Sequence, residues 1–227
     1  MTKHIYLLLL SALLIGCEAS LVLDGVEETE KQQVRRTDIL MGAADNGRLS
    51  VVVGSDGLIL STESGTSNWQ RTRIEERPVF IDIASCQENL FAAVSMEGQV
   101  WTSDATAENW TKHELGDGIV PQAVTCDSQG TIWVVGNFTS ILSSSDAGKN
   151  WQNHSLDEDI ILSTVQFVSE NKGFITGEFG TVLITEDGGV TWEFADPIPK
   201  EFYPLASVFK DENNGWVVGL DGKVYST

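Results

Sequence analysis

Positive charge is what this sequence most lacks. Fourteen Lys and Arg stand against 33 Asp and Glu, a net charge of −19, and no Arg follows Arg77. A chain of that sign is no partner for nucleic acid, because neutralising phosphates takes clustered cations. The three cysteines form no CxxC or Cys/His cluster, which argues against zinc. No GxSxG, phosphate-binding Gly loop or HExxH is present, so neither a cofactor nor a metal is expected. Beyond the first seventeen residues no apolar run approaches the length needed to span a bilayer. What remains is a chain of 227 residues with 41% hydrophobic residues, 21 Gly and 7 Trp, long enough to bury a real core. It reads as an acidic, Gly-punctuated β protein.

Residues 1–17, MTKHIYLLLLSALLIGC, place Lys3 before a short apolar stretch, the pattern of an export signal. The end of the run, Leu14-Ile15-Gly16-Cys17, resembles the lipobox of bacterial lipoproteins. That resemblance implies cleavage before Cys17 and a lipid on its sulfur; the alternative is cleavage near Ala19-Ser20. Without the leader, 13 basic face 33 acidic side chains, a net charge of −20. The expectation is an extracytoplasmic chain tethered to a membrane by lipid, periplasm-facing or on the outer membrane. Cys86 and Cys126 then remain, 40 residues apart. They read first as two small buried side chains, with a disulfide between neighbouring units as the other option.

The strongest signal is a repeat. Trp69, Trp110, Trp151 and Trp192 recur every 41 residues. A second register runs in step through Gly54, Ser95, Gly136, Gly177 and Gly219, and a third through Gly57, Gly98, Thr139, Gly180 and Gly222. The unit from Ser163 to Ala195 divides into strands at 165–168, 173–177, 181–185 and 190–194, separated by Gly and Asp turns. Four short antiparallel strands in about 41 residues make one propeller blade. The expected fold is therefore all-β, a β-propeller of about five four-stranded blades over residues 37–227.

The turns before two of the tryptophans share a motif. Ser144-x-Asp146-x-Gly148-x-x-Trp151 and Thr185-x-Asp187-x-Gly189-x-x-Trp192 match the Asp-box, or bacterial neuraminidase repeat, with weakened copies at Ser61-x-Glu63-x-Gly65 and Thr102-x-Asp104-x-Thr106. Asp and Ser/Thr there bind turn amides, Gly supplies the backbone angle and Trp packs between sheets, a structural role. A sialidase additionally needs arginines from several blades. Here Arg35, Arg36, Arg48, Arg71, Arg73 and Arg77 are all the arginines, none beyond residue 77, and no Phe-Arg-Ile-Pro is present. His113 and His154, each three residues past a Trp, read as solvated positions on a fourth strand, and Asp157-Glu158-Asp159 as a solvated acidic loop.

The whole pattern, carried by Gly173-Phe174-Ile175-Thr176-Gly177-Glu178-Phe179-Gly180 and Gly215-Trp216-Val217-Val218-Gly219-Leu220-Asp221-Gly222, resembles the photosystem II stability/assembly factor family. That resemblance implies a non-enzymatic propeller that binds protein and helps assemble a membrane complex. The alternative is a surface module binding carbohydrate or another polymer through Trp101, Trp133 and Tyr203, provided these are exposed. The fifth unit stops at Thr227 before its own Trp. Residues 18–36 are either a tether or, through 28–36, a strand that closes a five-bladed ring; otherwise the repeats are part of a larger propeller.

Overall fold

The computed structural model describes residues 25–26, 32–199 and 202–227. The chain divides into two units, Met1–Arg35 and Arg36–Thr227. The leader, Cys17 and residues 28–31 lie outside the described residues, and 32–36 form bends and a turn.

The second unit consists of five antiparallel sheets met in sequence order. Blade I holds β1 (Leu40–Asp45), β2 (Leu49–Gly54), β3 (Leu58–Glu63) and β4 (Gln70–Arg73). Blade II holds β5 (Phe80–Ser85), β6 (Phe91–Ser95), β7 (Gln99–Ser103) and β8 (Trp110–Glu114). Blade III holds β9 (Pro121–Cys126), β10 (Ile132–Gly136), β11 (Ile141–Ser144) and β12 (Gln152–Asn153). Blade IV holds β13 (Leu162–Phe167), β14 (Gly173–Gly177), β15 (Thr181–Thr185) and β16 (Glu193–Phe194). Blade V has three strands, β17 (Pro204–Asp211), β18 (Asn214–Gly219) and β19 (Val224–Ser226). The middle strands of blade IV fall where the sequence places them. Its fourth strand is only two residues long, because the Asp-box turn occupies the preceding stretch.

The first strand of each blade packs against the first strand of the next: β1 on β5, β5 on β9, β9 on β13 and β13 on β17. Among the described residues β17 makes no comparable packing against β1. Four apolar cores fill the four gaps. Val51, Val53 and Ile59 meet Phe80, Phe91 and Trp101 between blades I and II. Ala92, Val94 and Val100 meet Ile132, Val134 and Leu142 in the next gap. Trp133 and Val135 meet Ile175, Leu183 and Trp192 between III and IV, and Phe174 meets Phe209 and Val217 between IV and V. On the far side of blade V, Val208, Trp216, Val218 and Val224 remain exposed.

The two glycine registers have separate causes. In every blade the innermost strand has a register irregularity, and Gly54, Ser95, Gly136, Gly177 and Gly219 pair with the residue on its outer side. The next residue's N–H then reaches the carbonyl just before the innermost strand: Ser55 to Ile39 (3.0 Å), Met96 to Val79 (2.9 Å), Asn137 to Val120 (3.2 Å), Glu178 to Ile161 (2.9 Å) and Leu220 to Tyr203 (3.1 Å). A Cβ at Gly54 would lie 2.1 Å from the Ile39 oxygen, and one at Gly136 2.3 Å from that of Val120. The first register is thus a close approach of two backbones. The second is a turn: Gly57, Gly98, Gly180 and Gly222 all have φ between 67° and 79°, the left-handed region that favours Gly.

Gly180 combines both constraints, with φ +74 and a would-be Cβ 2.2 Å from the Ile198 carbonyl oxygen. Gly180→Ala is expected to lower stability by ~3 kcal/mol, the joint cost of left-handed strain and overpacking. Urea unfolding followed by Trp fluorescence measures it.

Candidate functional site

The Asp-box turns are closed hydrogen-bond nets. In blade III, Ser144 Oγ donates to Asp146 Oδ1 (2.9 Å) and accepts from the Gly148 N–H (2.9 Å). Asp146 also accepts from the Asn150 N–H (2.9 Å) and side-chain amide (2.6 Å). Blade IV repeats this with Thr185, Gly189 and Thr191 around Asp187. The weakened blade II copy works by substitution: Asp104 accepts from Thr106, Glu108 and the Asn109 amide.

These donors stabilise the ionised carboxylates. The Asn150 side chain leads in holding Asp146 at about 2, and Thr191 does the same for Asp187, also at about 2. For Asp104 burial pushes upward, but Asn109 and Thr106 outweigh it and bring it to about 2. A carboxylate with that many donors is committed to its turn.

The histidines are half-buried rather than fully solvated. His113 Nε2 lies 3.0 Å from Thr102 Oγ1, and its ring is packed where a Cβ on Gly148 of the next blade's turn would be only 3.0 Å away. His154 Nε2 lies 2.9 Å from Ser143 Oγ, with its ring 5.2 Å from that of Trp133. Burial lowers both imidazole pKa values. Each ring is a spacer between its own outer strand and the following Asp-box turn. Lys112 and Glu114 beside His113 made the position look wet, but alternation on β8 turns the ring the other way.

The sign of both effects is the same. Each depressed imidazole contributes stability above about pH 6.5 that is lost as pH falls toward its lowered value, and each depressed aspartate loses its share between 3.8 and about 2. Asp82, raised by burial although it accepts from the Val124 N–H (2.9 Å), works in the opposite sense. The urea midpoint is therefore expected to fall in two stages on acidification. Asp146→Asn with Asp187→Asn is expected to flatten the lower stage.

The aromatic side chains do not assemble the polymer-binding face considered above. Trp101 and Trp133 are each 3% exposed and sit between sheets, and Tyr203 is half-buried with its hydroxyl donating to Glu178. Besides Phe194 and Trp216, two further aromatics are exposed, Phe138 (59%) and Phe179 (55%). They occupy the same turn in successive blades, both at positive φ (51° and 59°), and Phe179 meets Tyr203 edge-on at 5.9 Å. Bulky residues in left-handed turns are uncommon and gather at functional surfaces. The period of 41 was the available signal, since both stand one residue before the third repeat register.

Cys86 and Cys126 are joined in a disulfide with Cα atoms 5.2 Å apart, rather than lying as two separate buried thiols. The bridge ties the end of β9 to the residue that follows β5, so it spans blades II and III.

The profile of the photosynthesis system II assembly factor YCF48 family matches residues 115–183 and 150–226. The chain is a YCF48-like β-propeller. Solved structures agree in fold: a YCF48 bound to a D1 peptide (21% identity, TM-score 0.64, 80% of this chain and 60% of that one) and YCF48 from Cyanidioschyzon merolae (18%, 0.64, 79% and 63%). This YCF48-like chain thus spans less than two thirds of their length. A catalytically inactive H270A virginiamycin B lyase from Staphylococcus aureus, with quinupristin, matches at 10% identity (TM-score 0.67, 84% and 70%) and shares the fold alone. No curated protein matches the sequence. Among the described residues no helix is long and apolar enough to cross a membrane.

Proposed function

We propose that this YCF48-like propeller is a non-enzymatic scaffold, tethered to a membrane through lipid on Cys17, that binds a protein and assists assembly or stability of a membrane or envelope complex. The observation that carries it is the family match across blades III to V. The solved YCF48 holding a D1 peptide supports a polypeptide as the class of ligand. The docking surface in this reading is the turn end of blades III and IV, where Phe138 and Phe179 stand exposed. A net charge of −19 favours a basic client surface. The disulfide fits an oxidising, extracytoplasmic compartment.

Cross-linking and affinity purification from mildly solubilised membranes tests the reading. One membrane complex, or its immature subunits, is expected with the wild-type chain. Recovery is expected to drop at least tenfold with Phe138→Ala/Phe179→Ala, while the unfolding midpoint stays put. Cys17→Ala is expected to move the chain out of the membrane fraction. Recovery of the bait alone rejects the assembly role.

A further inference from the structure

Two Asn-Gly pairs occur in the chain, Asn46-Gly47 and Asn214-Gly215, and their surroundings differ. The first forms the turn between β1 and β2, where the Asn46 N–H donates to the Leu49 carbonyl (3.1 Å). The Asn46 side chain is held within the same turn. Its Oδ1 accepts from the Arg48 N–H (2.9 Å) and the Leu49 N–H (2.8 Å), while among the described residues its buried Nδ2 has no hydrogen-bond partner. The Gly47 N–H donates to Asp45 Oδ1 (2.7 Å). The Ser50 and Ser64 hydroxyls hold the other oxygen of that carboxylate, and with the Gly47 amide they lower its pKa, so Asp45 is ionised at neutral pH. Gly47 is exposed at φ +82, and a Cβ there would meet nothing within 4 Å. The second pair begins β18. There the Asn214 amide donates to Asp211 (2.8 Å), and Gly215 is buried and paired with Phe209.

We propose that Asn46-Gly47 is a self-modification site, where the turn converts Asn46 into a succinimide and then into aspartate or isoaspartate without an enzyme. The nucleophile is the Gly47 backbone nitrogen, whose proton already points at the Asp45 carboxylate, a base within hydrogen-bond reach. The electrophile is the Asn46 side-chain carbonyl carbon. Two backbone N–H groups on its oxygen stabilise the negative charge that develops as the nitrogen adds, the role of an oxyanion hole. The ring closed by the Arg48 hydrogen bond contains both reacting atoms, which keeps them near each other. As the bond from Gly47 N to Asn46 Cγ forms, the Gly47 proton passes to Asp45. That proton then moves to Nδ2, the Cγ–Nδ2 bond breaks and ammonia leaves. Water opens the imide at either carbonyl, so the balance is amide plus water giving acid plus ammonia. The aspartate product keeps Arg48 and Leu49 as donors and loses the partnerless N–H, whose burial is unfavourable. The site is defined by one hairpin and holds whether or not the chain serves an assembly role.

Both pairs can be followed in one sample. The purified full chain is held at mildly alkaline pH and sampled over time. Peptide mapping by mass spectrometry reads the amide-to-acid exchange, and methyltransferase labelling reads isoaspartate. In the folded chain Asn46 is expected to convert at least tenfold faster than Asn214. In urea the two rates are expected to converge, with Asn46 no faster than it is when folded. Asp45→Asn and Gly47→Ala are each expected to slow conversion at Asn46 at least tenfold, with urea midpoints confirming that the variants fold. Slower conversion of Asn46 in the folded chain than in urea overturns the proposal and needs no variant. Equal rates at the two sites in the folded chain also overturn it, as does a rate indifferent to Asp45→Asn.

Discussion

Trp192→Ala is expected to cost ~3–5 kcal/mol of unfolding free energy, the range for truncating a large buried aromatic. Trp192 is 5% exposed and bridges Trp133 and Phe167, so its loss opens the gap between blades III and IV rather than loosening a single sheet. Leu162, Ile175 and Leu183 line the same gap and are fully buried. Ile175 and Leu183 are pinned by strand pairing on both sides and Leu162 on one, so they have little room to collapse into the space. The control is Trp69→Ala, at the same repeat position but half-buried, where a markedly smaller loss is expected. Urea midpoints at constant m-value decide the comparison. Equal losses at the two sites would show that the tryptophans act through their turns and not through the gap.

Removing the disulfide is expected to cost almost as much. Cys86→Ala/Cys126→Ala frees a loop with a sequence separation of 40, for which chain-entropy reasoning gives ~3–4 kcal/mol. Reduction of the wild-type chain should reproduce the shift and leave the double variant unmoved. The bridge also sets where unfolding begins. Blades II and III stay joined in the unfolded chain, while blade V is held to its neighbour by Gln166, whose amide donates to the Phe209 carbonyl (2.6 Å) and accepts from the Phe209 N–H (2.9 Å), and by a Thr164–Ser207 hydroxyl pair (2.6 Å). Hydrogen exchange is expected to be fastest in β18 and β19.

The blades were legible because their markers are local. A Gly that must approach a carbonyl, an Asp that must take turn amides and a Trp that must fill a gap each recur at one spacing, so five units align without any knowledge of packing. The strands β14 and β15 follow directly from that alignment. What escaped depends on the neighbour. His113 touches Gly148, and Cys86 meets Cys126, across gaps whose width no single repeat encodes. Phe138 and Phe179 were hidden for another reason: between two conserved-looking turn positions, an exposed aromatic and a buried one are spelled alike. The aromatic candidates Trp101 and Trp133 failed on the same ambiguity, since strand alternation puts them inside.

Among the described residues the four gaps between successive blades are filled from those two blades alone. Val51 finds Phe91, Trp133 finds Trp192 and Phe174 finds Phe209. None of these four gaps waits for the far end of the chain, so the loop that must close before any of these cores can form is never much longer than a repeat or two. A polypeptide built this way can mature from its N-terminal side as it emerges from a narrow pore, each sheet becoming the template for its successor. Under the export proposed above, such directional growth lets folding keep pace with delivery across a membrane.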